Sequence, residues 1–283
     1  MILKMKGKVL PCEGRSYIMG ILNVTPDSFS DGGIYFDPNA AVKHALEMID
    51  DGADIIDIGG ESTRPGADEL TCSEEISRVV PVITQLRSAS PDCIISIDTR
   101  KGEVARAAVE AGANIINDIS GLQFCKDIAQ VAADTGAGLI IMHMRGTPET
   151  MQNQNNLSYT NVVSEILTFL EDAIRLAVAA GVSRNQIAVD PGIGFSKDCD
   201  QNIAILNQIN EFKALKVPLL VGHSRKSFIG QILEENDPAD RVWGTAGVTA
   251  WLAFNHVEMI RVHDIKEMKQ VLILAEACSS GQQ

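Results

Sequence analysis

Eight short apolar runs, each closed by a polar residue and separated by amphipathic stretches, predict an α/β protein of the (β/α)8 (TIM) barrel class. Three observations carry that expectation. A unit recurs in which a polar-faced helical stretch ends in Gly and a β-branched run follows: EMIDDGADIIDIGG (47–60), AVEAGANIINDIS (108–120) and VAADTGAGLIIMHM (131–144), with a looser copy in LAVAAGVSRNQIAVDPG (176–192). The runs behind the glycines are continuously apolar, the pattern of strands covered on both faces. From Asn23 to Arg261 the polar strand ends fall about 34 residues apart on average, the length of one strand–helix unit.

Taken in order, the further strands are IMGILN (18–23), CIISID (93–98), PLLVGHS (218–224) and EMIRVHD (258–264). The polar strand ends are Asn23, Asp57, Asp98, Asn117, His143, Asp190, His223/Ser224 and Arg261/His263. Gly52, Gly112, Gly136 and Gly181 stand where a helix takes a left-handed residue just past its end. Asp37 can cap a first helix that begins at Pro38 and lays Val42, Ala45, Leu46 and Ile49 along one stripe. No linker is visible, so residues 1–283 read as one domain, with a short N-terminal extension (about 1–15) and a frayed tail (about 276–283). The rival architecture, an open doubly wound sheet, would carry a GxGxxG or GxxxxGK[ST] loop, and neither string occurs.

Composition narrows the function. The chain has 283 residues, 45% hydrophobic and 22% charged, enough for a large core without staples. A net charge of −13 argues against a nucleic-acid surface. An anionic small ligand remains compatible if the cations gather in one pocket. The six cysteines lack CxxC or zinc-type spacing and read as buried, reduced thiols. The first residues lack a signal-peptide h-region, and no stretch is long and apolar enough to span a bilayer, so the expectation is a soluble, cytoplasmic protein.

In a barrel the reactive groups sit at the strand C-termini and in the loops that follow. Loops 1 (23–38) and 2 (59–75) are long and rich in Gly, Ser, Thr and Pro, as lids and binding loops are. The strings NVTPDSFSDGG, IIDIGGESTRPG, SIDT, INDIS, DPGIGF, GHSRKS and IRVHD, in this order between about Tyr17 and about Lys269, resemble the dihydropteroate synthase family of folate biosynthesis. The resemblance implies a TIM barrel that condenses 6-hydroxymethyl-7,8-dihydropterin pyrophosphate with p-aminobenzoate and releases pyrophosphate, with sulfonamides competing for the p-aminobenzoate position.

It also implies roles at matching residues. Asp190 would accept the paired donors of the pterin's amino-pyrimidinone edge, Asn117 would face the mixed N1 side, Asp98 the N8–H side, and Lys226 O4 and N5. Met142 and Phe195 would pack on the ring, and Arg261 would cover one ring face and reach the phosphates. Arg64, Arg261 and His263, with Asn23 and Thr63, would hold the pyrophosphate beside a Mg²⁺ at Asn23. Phe29, Thr63, Pro65 and Ser224 would take p-aminobenzoate, its carboxylate near a helix N-terminus that begins about Ser224. The family further implies a homodimer through barrel helices.

The residues themselves leave rivals open. A pterin-dependent methyltransferase would share the ring pocket but would not need the two lids or the Arg64/Arg261/His263 cluster. A non-catalytic pterin binder would show a damaged lid or lack Arg64 or Lys226, and all are intact. A barrel aldolase would use Lys226 as a Schiff base. His143 lacks an evident partner and reads as structural, and no pair of residues has a metal-ligand spacing such as HExxH.

Overall fold

The computed structural model describes residues 1–25, 37–62 and 69–280. After an antiparallel hairpin of β1 (Ile2–Met5) and β2 (Lys8–Pro11), eight strands form one parallel sheet: β3 (Tyr17–Asn23), β4 (Ile55–Gly59), β5 (Ile94–Asp98), β6 (Ile115–Asp118), β7 (Gly138–Met142), β8 (Ile187–Asp190), β9 (Leu220–Gly222) and β10 (Met259–Val262). Their order is β8-β7-β6-β5-β4-β3-β10-β9. The two outer strands meet where Val189 bridges Leu219 in parallel and its N–H donates to the Pro218 carbonyl at 2.9 Å, which closes the barrel.

Parallel neighbours need crossovers, and helices supply them. They are α1 (Pro38–Asp50), α2 (Cys72–Ala89), α3 (Gly102–Ala111), α4 (Asp127–Thr135), α5 (Val162–Ala179), α6 (Cys199–Asn207), α7 (Ser227–Leu233), α8 (Val242–Phe254) and α9 (Ile265–Ser280). Asp37 caps α1 by accepting the Asn39 N–H at 2.9 Å, with Pro38 in the first position. The buried stripe of α1 is Ala41, Val42, Ala45 and Met48, so the expected Leu46 and Ile49 lie only at its edge. A reciprocal box between Thr71 and Glu74 starts α2. Gly136 ends α4 with φ +72°, a conformation that a Cβ would strain.

The barrel interior follows from the period of two along each strand. One layer takes a residue from every strand: Met19, Ile55, Ile94, Ile115, Ile140, Ala188, Leu220 and Met259, in one apolar cluster. The next inward position, two residues on, reads Ile21, Asp57, Ser96, Asn117, Met142, Asp190, Gly222 and Arg261. The intervening residues, such as Ile56, Ile97, Ile116 and Val221, pack outward against the helices. The interior therefore changes from apolar to polar within one step.

The short N-terminal extension does not stand apart from the barrel: Leu3, Met5 and Leu10 are buried in the same cluster as the lower interior layer, so the hairpin plugs the N-terminal end of the barrel. Along β1 the exposed Ile2 and Lys4 alternate with the buried Leu3 and Met5, and Leu3 stands opposite Leu10 of β2. Nor does the chain fray at 276. The helix α9 runs on to Ser280, and Glu276 accepts the Ser16 N–H at 2.7 Å. All six thiols are unpaired, but only Cys12 is buried and Cys278 is exposed, so the expectation of six buried thiols fails.

Candidate active site at the barrel mouth

The polar residues at the strand ends meet in one group. Arg261, between Met259 and Val262 on β10, lies beside Met19 of β3 and Gly222 of β9. Its Nε donates to Asp57 Oδ2 at 2.6 Å and its Nη2 to Asp98 Oδ2 at 2.7 Å. Asn117 pairs in register with Asp98 and donates its Nδ2 to the same Asp57 oxygen at 3.0 Å. One guanidinium thus spans two carboxylates, and one of these fixes which end of the Asn117 amide faces away from Asp57.

On the opposite wall Asp190 ends β8 beside Met142. Its Oδ1 accepts the Gly192 N–H at 2.7 Å. Lys226 donates to the Ile193 carbonyl, and its Nζ stands 4.5 Å from the centroid of the Phe195 ring. Met142 and Phe195 pack with Ile119, Met144 and Met151 in a small apolar cluster of their own. Gly222 joins the two walls: a Cβ there would lie 3.7 Å from Arg261 Cβ and 3.9 Å from Asp190 Oδ2.

The electrostatics match a ligand-binding mouth. Burial pushes the Asp98 carboxyl up to about 7, with Arg261 drawing it back and Asp57 adding to the rise. Burial also raises Asp190, opposed first by Lys226 and then by the Gly192 amide. Lys226 is lowered to about 8 by burial, which outweighs the attraction of Asp190. Groups perturbed in both directions within one cleft are a mark of a functional site.

Asp57 was placed by the sequence among the polar strand ends but given no ligand role, although a carboxylate inside IIDIGG was a signal that it needed a partner. It is fully buried, and its Oδ1 has no hydrogen-bond partner among the described residues. Ser224 and His263 come together past β9 and β10, with Ser224 Oγ accepting the His263 N–H at 3.2 Å and standing 2.9 Å from Nδ1. The helix expected near Ser224 starts three residues later, at Ser227, because Arg225 takes a left-handed turn (φ +59°) first. Phe29, Thr63, Arg64 and Pro65 lie outside the described residues.

Both described flanks of loop 2 are tied to the β5–α3 corner. Glu61 accepts from Arg100 Nε at 3.1 Å, Lys101 Nζ at 2.8 Å and the Leu70 N–H at 2.8 Å, while Arg100 also reaches Glu69 at 3.1 Å. Burial opposes the charge on Glu61, but Lys101, the Leu70 amide and Arg100 outweigh it and hold the carboxyl below its usual range.

Among the described residues there is no group of three or more His, Cys, Asp or Glu that could hold a metal ion. A bridging Mg²⁺ asks for less, since it keeps several waters and shares its shell with substrate phosphates. Asn23 is exposed at the end of β3, and its Oδ1 and Asp98 Oδ2 both lie 3.9 Å from the place a Cβ on Gly59 would occupy. The Asn23 amide oxygen is a hard donor of the kind such an ion takes.

The closed barrel and its mouth define a class: a (β/α)8 enzyme whose carboxylates, amide and cations converge on one small-molecule pocket. The model of the pterin binding enzyme family matches residues 19–263. The chain is 49% identical to a dihydropteroate synthase of Synechocystis over 263 residues, covering 93% of this chain and 90% of that protein. The dihydropteroate synthase of Yersinia pestis, solved with a sulfonamide drug complex, superposes with a TM-score of 0.91 at 41% identity and 100% coverage of both chains. That of Xanthomonas albilineans, solved with 4-aminobenzoic acid, gives 0.91 at 38% identity and 99% coverage of both. The chain belongs to the pterin binding enzyme family, on its dihydropteroate synthase branch.

Proposed function

We propose that this chain is a transferase of folate synthesis that joins 6-hydroxymethyl-7,8-dihydropterin pyrophosphate to p-aminobenzoate, giving 7,8-dihydropteroate and pyrophosphate, and that it is a sulfonamide target. The observation that carries the reading is the convergence of Asp98, Asn117, Asp190, Lys226 and Arg261 on one mouth. The relatives solved with 4-aminobenzoic acid and with a sulfonamide support the second substrate and the inhibitor class.

Asp190 receives the two adjacent donors of the pterin edge, Asn117 its N1 side and Asp98 its N8–H. Lys226 turns from the Ile193 carbonyl toward O4 and N5. These buried groups are costly to leave unpaired, so a ligand without that edge is rejected. Phe195 and Met142 line the ring, and Arg261 lies over its other face with its charge toward the departing phosphates. His263, Asn23, Thr63 and Arg64 complete the pyrophosphate site, and Phe29, Thr63, Pro65 and Ser224 the p-aminobenzoate site. Asn23 would hold a Mg²⁺ ion, which would supply positive charge to the pyrophosphate.

The carbon–oxygen bond to pyrophosphate breaks ahead of attack by the arylamine nitrogen, since the electron-rich ring stabilises the cation left behind. The protein's share is positioning, stabilising the leaving charge and excluding water. The decisive experiment is pyrophosphate release from the pterin substrate with and without p-aminobenzoate. Release that depends on p-aminobenzoate is expected, and its absence would refute the assignment.

A homodimer through the barrel helices is part of the same reading. Trp243, Trp251 and Phe254 of α8 and Ile273 and Leu274 of α9 expose a broad apolar face, Trp243 to 81%, which supports a second copy as its cover. Light scattering at low micromolar protein tests it. No helix among the described residues is long and apolar enough to cross a membrane. Unpaired thiols support a reducing, cytoplasmic setting.

A further inference from the structure

We infer that Lys197 is a positioning residue of this site: from behind, it holds the turn 191–196 in the shape that sets Asp190, Phe195 and Lys226 around the pterin. The inference rests on the pterin reading above. Lys197 is buried, 3% exposed, and its Nζ has three partners: the Gly192 carbonyl at 3.0 Å, the Phe195 carbonyl at 2.8 Å and His143 Nδ1 at 3.0 Å. The opposite side of the same turn faces the ligand residues. There Gly192 donates to Asp190, Ile193 accepts from Lys226, and the Phe195 ring lies beside the Lys226 ammonium. The turn is therefore gripped between two lysines, one in the pocket and one beneath it.

The backbone needs that grip. Gly192 has φ +70°, and a Cβ on it would fall 2.0 Å from the His143 carbonyl oxygen, so the turn is pressed flat against the end of β7. Gly194 has φ +80°, with a Cβ position 2.7 Å from Lys226 Cδ. Ser196, also left-handed at φ +49°, accepts the Arg145 N–H at 2.9 Å. Lys197 is the second donor to both carbonyls, since Gly192 also accepts the Phe195 N–H at 3.1 Å and Phe195 the Ser196 hydroxyl at 2.7 Å, so it ties together the two ends of a turn that is already hydrogen-bonded within itself. An apolar side chain would fill the volume more cheaply than a buried amine but could not link Gly192, Phe195 and His143 through one atom.

His143, without an evident partner in the sequence, is the third contact. Burial drives its pKa down to about 2, so the ring is neutral, and Phe169 braces it edge-on with centroids 4.9 Å apart. Burial likewise pushes Lys197 well below the ordinary lysine range, against the pull of Asp190. The contact closes in either state. An ammonium donates to Nδ1, and a neutral amine accepts from Nδ1–H while still donating to both carbonyls.

The test uses the full chain with Lys197→Met, which keeps length and loses the donors, and with His143→Phe and His143→Asn. For each, KM is measured for both substrates, calorimetry gives the affinity for dihydropterin pyrophosphate alone, and Tm is recorded. Lys197→Met is expected to raise the KM for the pterin substrate about 10- to 100-fold and to leave that for p-aminobenzoate within about twofold. His143→Phe moves the pterin KM in the same direction by about threefold or more. His143→Asn, whose amide can donate or accept near the Nδ1 position, stays within about twofold of wild type. A lower Tm with an unchanged pterin KM, or an equal rise for both substrates, overturns the inference. If Lys197→Met yields no folded protein, the two His143 variants decide by the same criterion. Wild-type protein without p-aminobenzoate-dependent turnover would instead sink the functional reading, so the two failures are told apart.

Discussion

The two ends of the barrel share eight strands and one inward face, yet they are built to opposite specifications. At the N-terminal end a complete ring of apolar side chains is sealed by Leu3, Met5 and Leu10 of the hairpin. One inward step higher, Asp57, Asn117, Asp190 and Arg261 replace them. The lower ring buys stability through dry packing. The upper ring gives up such packing for charges that are compensated mainly by each other and, on our reading, by the ligand. A residue's place along one strand therefore says whether its loss should weaken the fold or the chemistry.

The largest expected effect breaks the mouth. Arg261→Ala removes the cation shared by Asp57 and Asp98 and the charge over the leaving group, so pyrophosphate release should slow by about 10³-fold, equivalent to about 4 kcal/mol of activation free energy. Arg261→Lys cannot fork between two carboxylates and should recover only part of the rate. The mirror experiment is at the plug. Leu3→Ala should cost about 2–5 kcal/mol in urea unfolding, while kcat per folded molecule remains as in wild type. Loss of rate at Leu3, or full activity at Arg261, would erase the division between the two ends.

A subtler contrast is read in pH. Burial lifts Asp98 from 3.8 to about 7 despite Arg261. Below the lower value folded and unfolded chains both hold the proton; between the two, the unfolded chain releases it first, so the fold loses stability as pH rises. Asp98→Asn removes that slope. Wild type should lose ground to the variant between about pH 4 and about pH 7 and then run parallel to it, as urea midpoints across that window would show. The smallest effect lies outside both ends. Asp37→Ala, which removes the α1 cap, should cost about 1 kcal/mol and leave both KM values alone, giving a baseline for a change that belongs to neither region.

Much of this was legible in the chain. Runs such as Ile115-Ile116 and Leu139–Ile141 behind a helix-ending glycine announce covered parallel strands because both of their faces are apolar. Asp98, Asn117 and Asp190 could be placed at strand ends, and the fold brings those ends to one rim. The hairpin was hidden because Lys4, Lys6 and Lys8 break up two four-residue strands whose apolar content is little more than Leu3, Met5 and Leu10, too short a pattern to read as alternation. The part played by Asp57, and Lys197 altogether, escaped for a different reason. Their partners, Arg261 and His143, are 204 and 54 residues away, and no local pattern encodes a contact at that range. The late start of α7 depended on one left-handed residue, Arg225, which its side chain does not advertise.

Because the hairpin stoppers the lower end, this barrel is a vessel with one door. Whatever reaches the ring of Asp57, Asn117 and Asp190 has entered from above and must leave the same way, so traffic in the deepest layer waits on whatever occupies the layers over it.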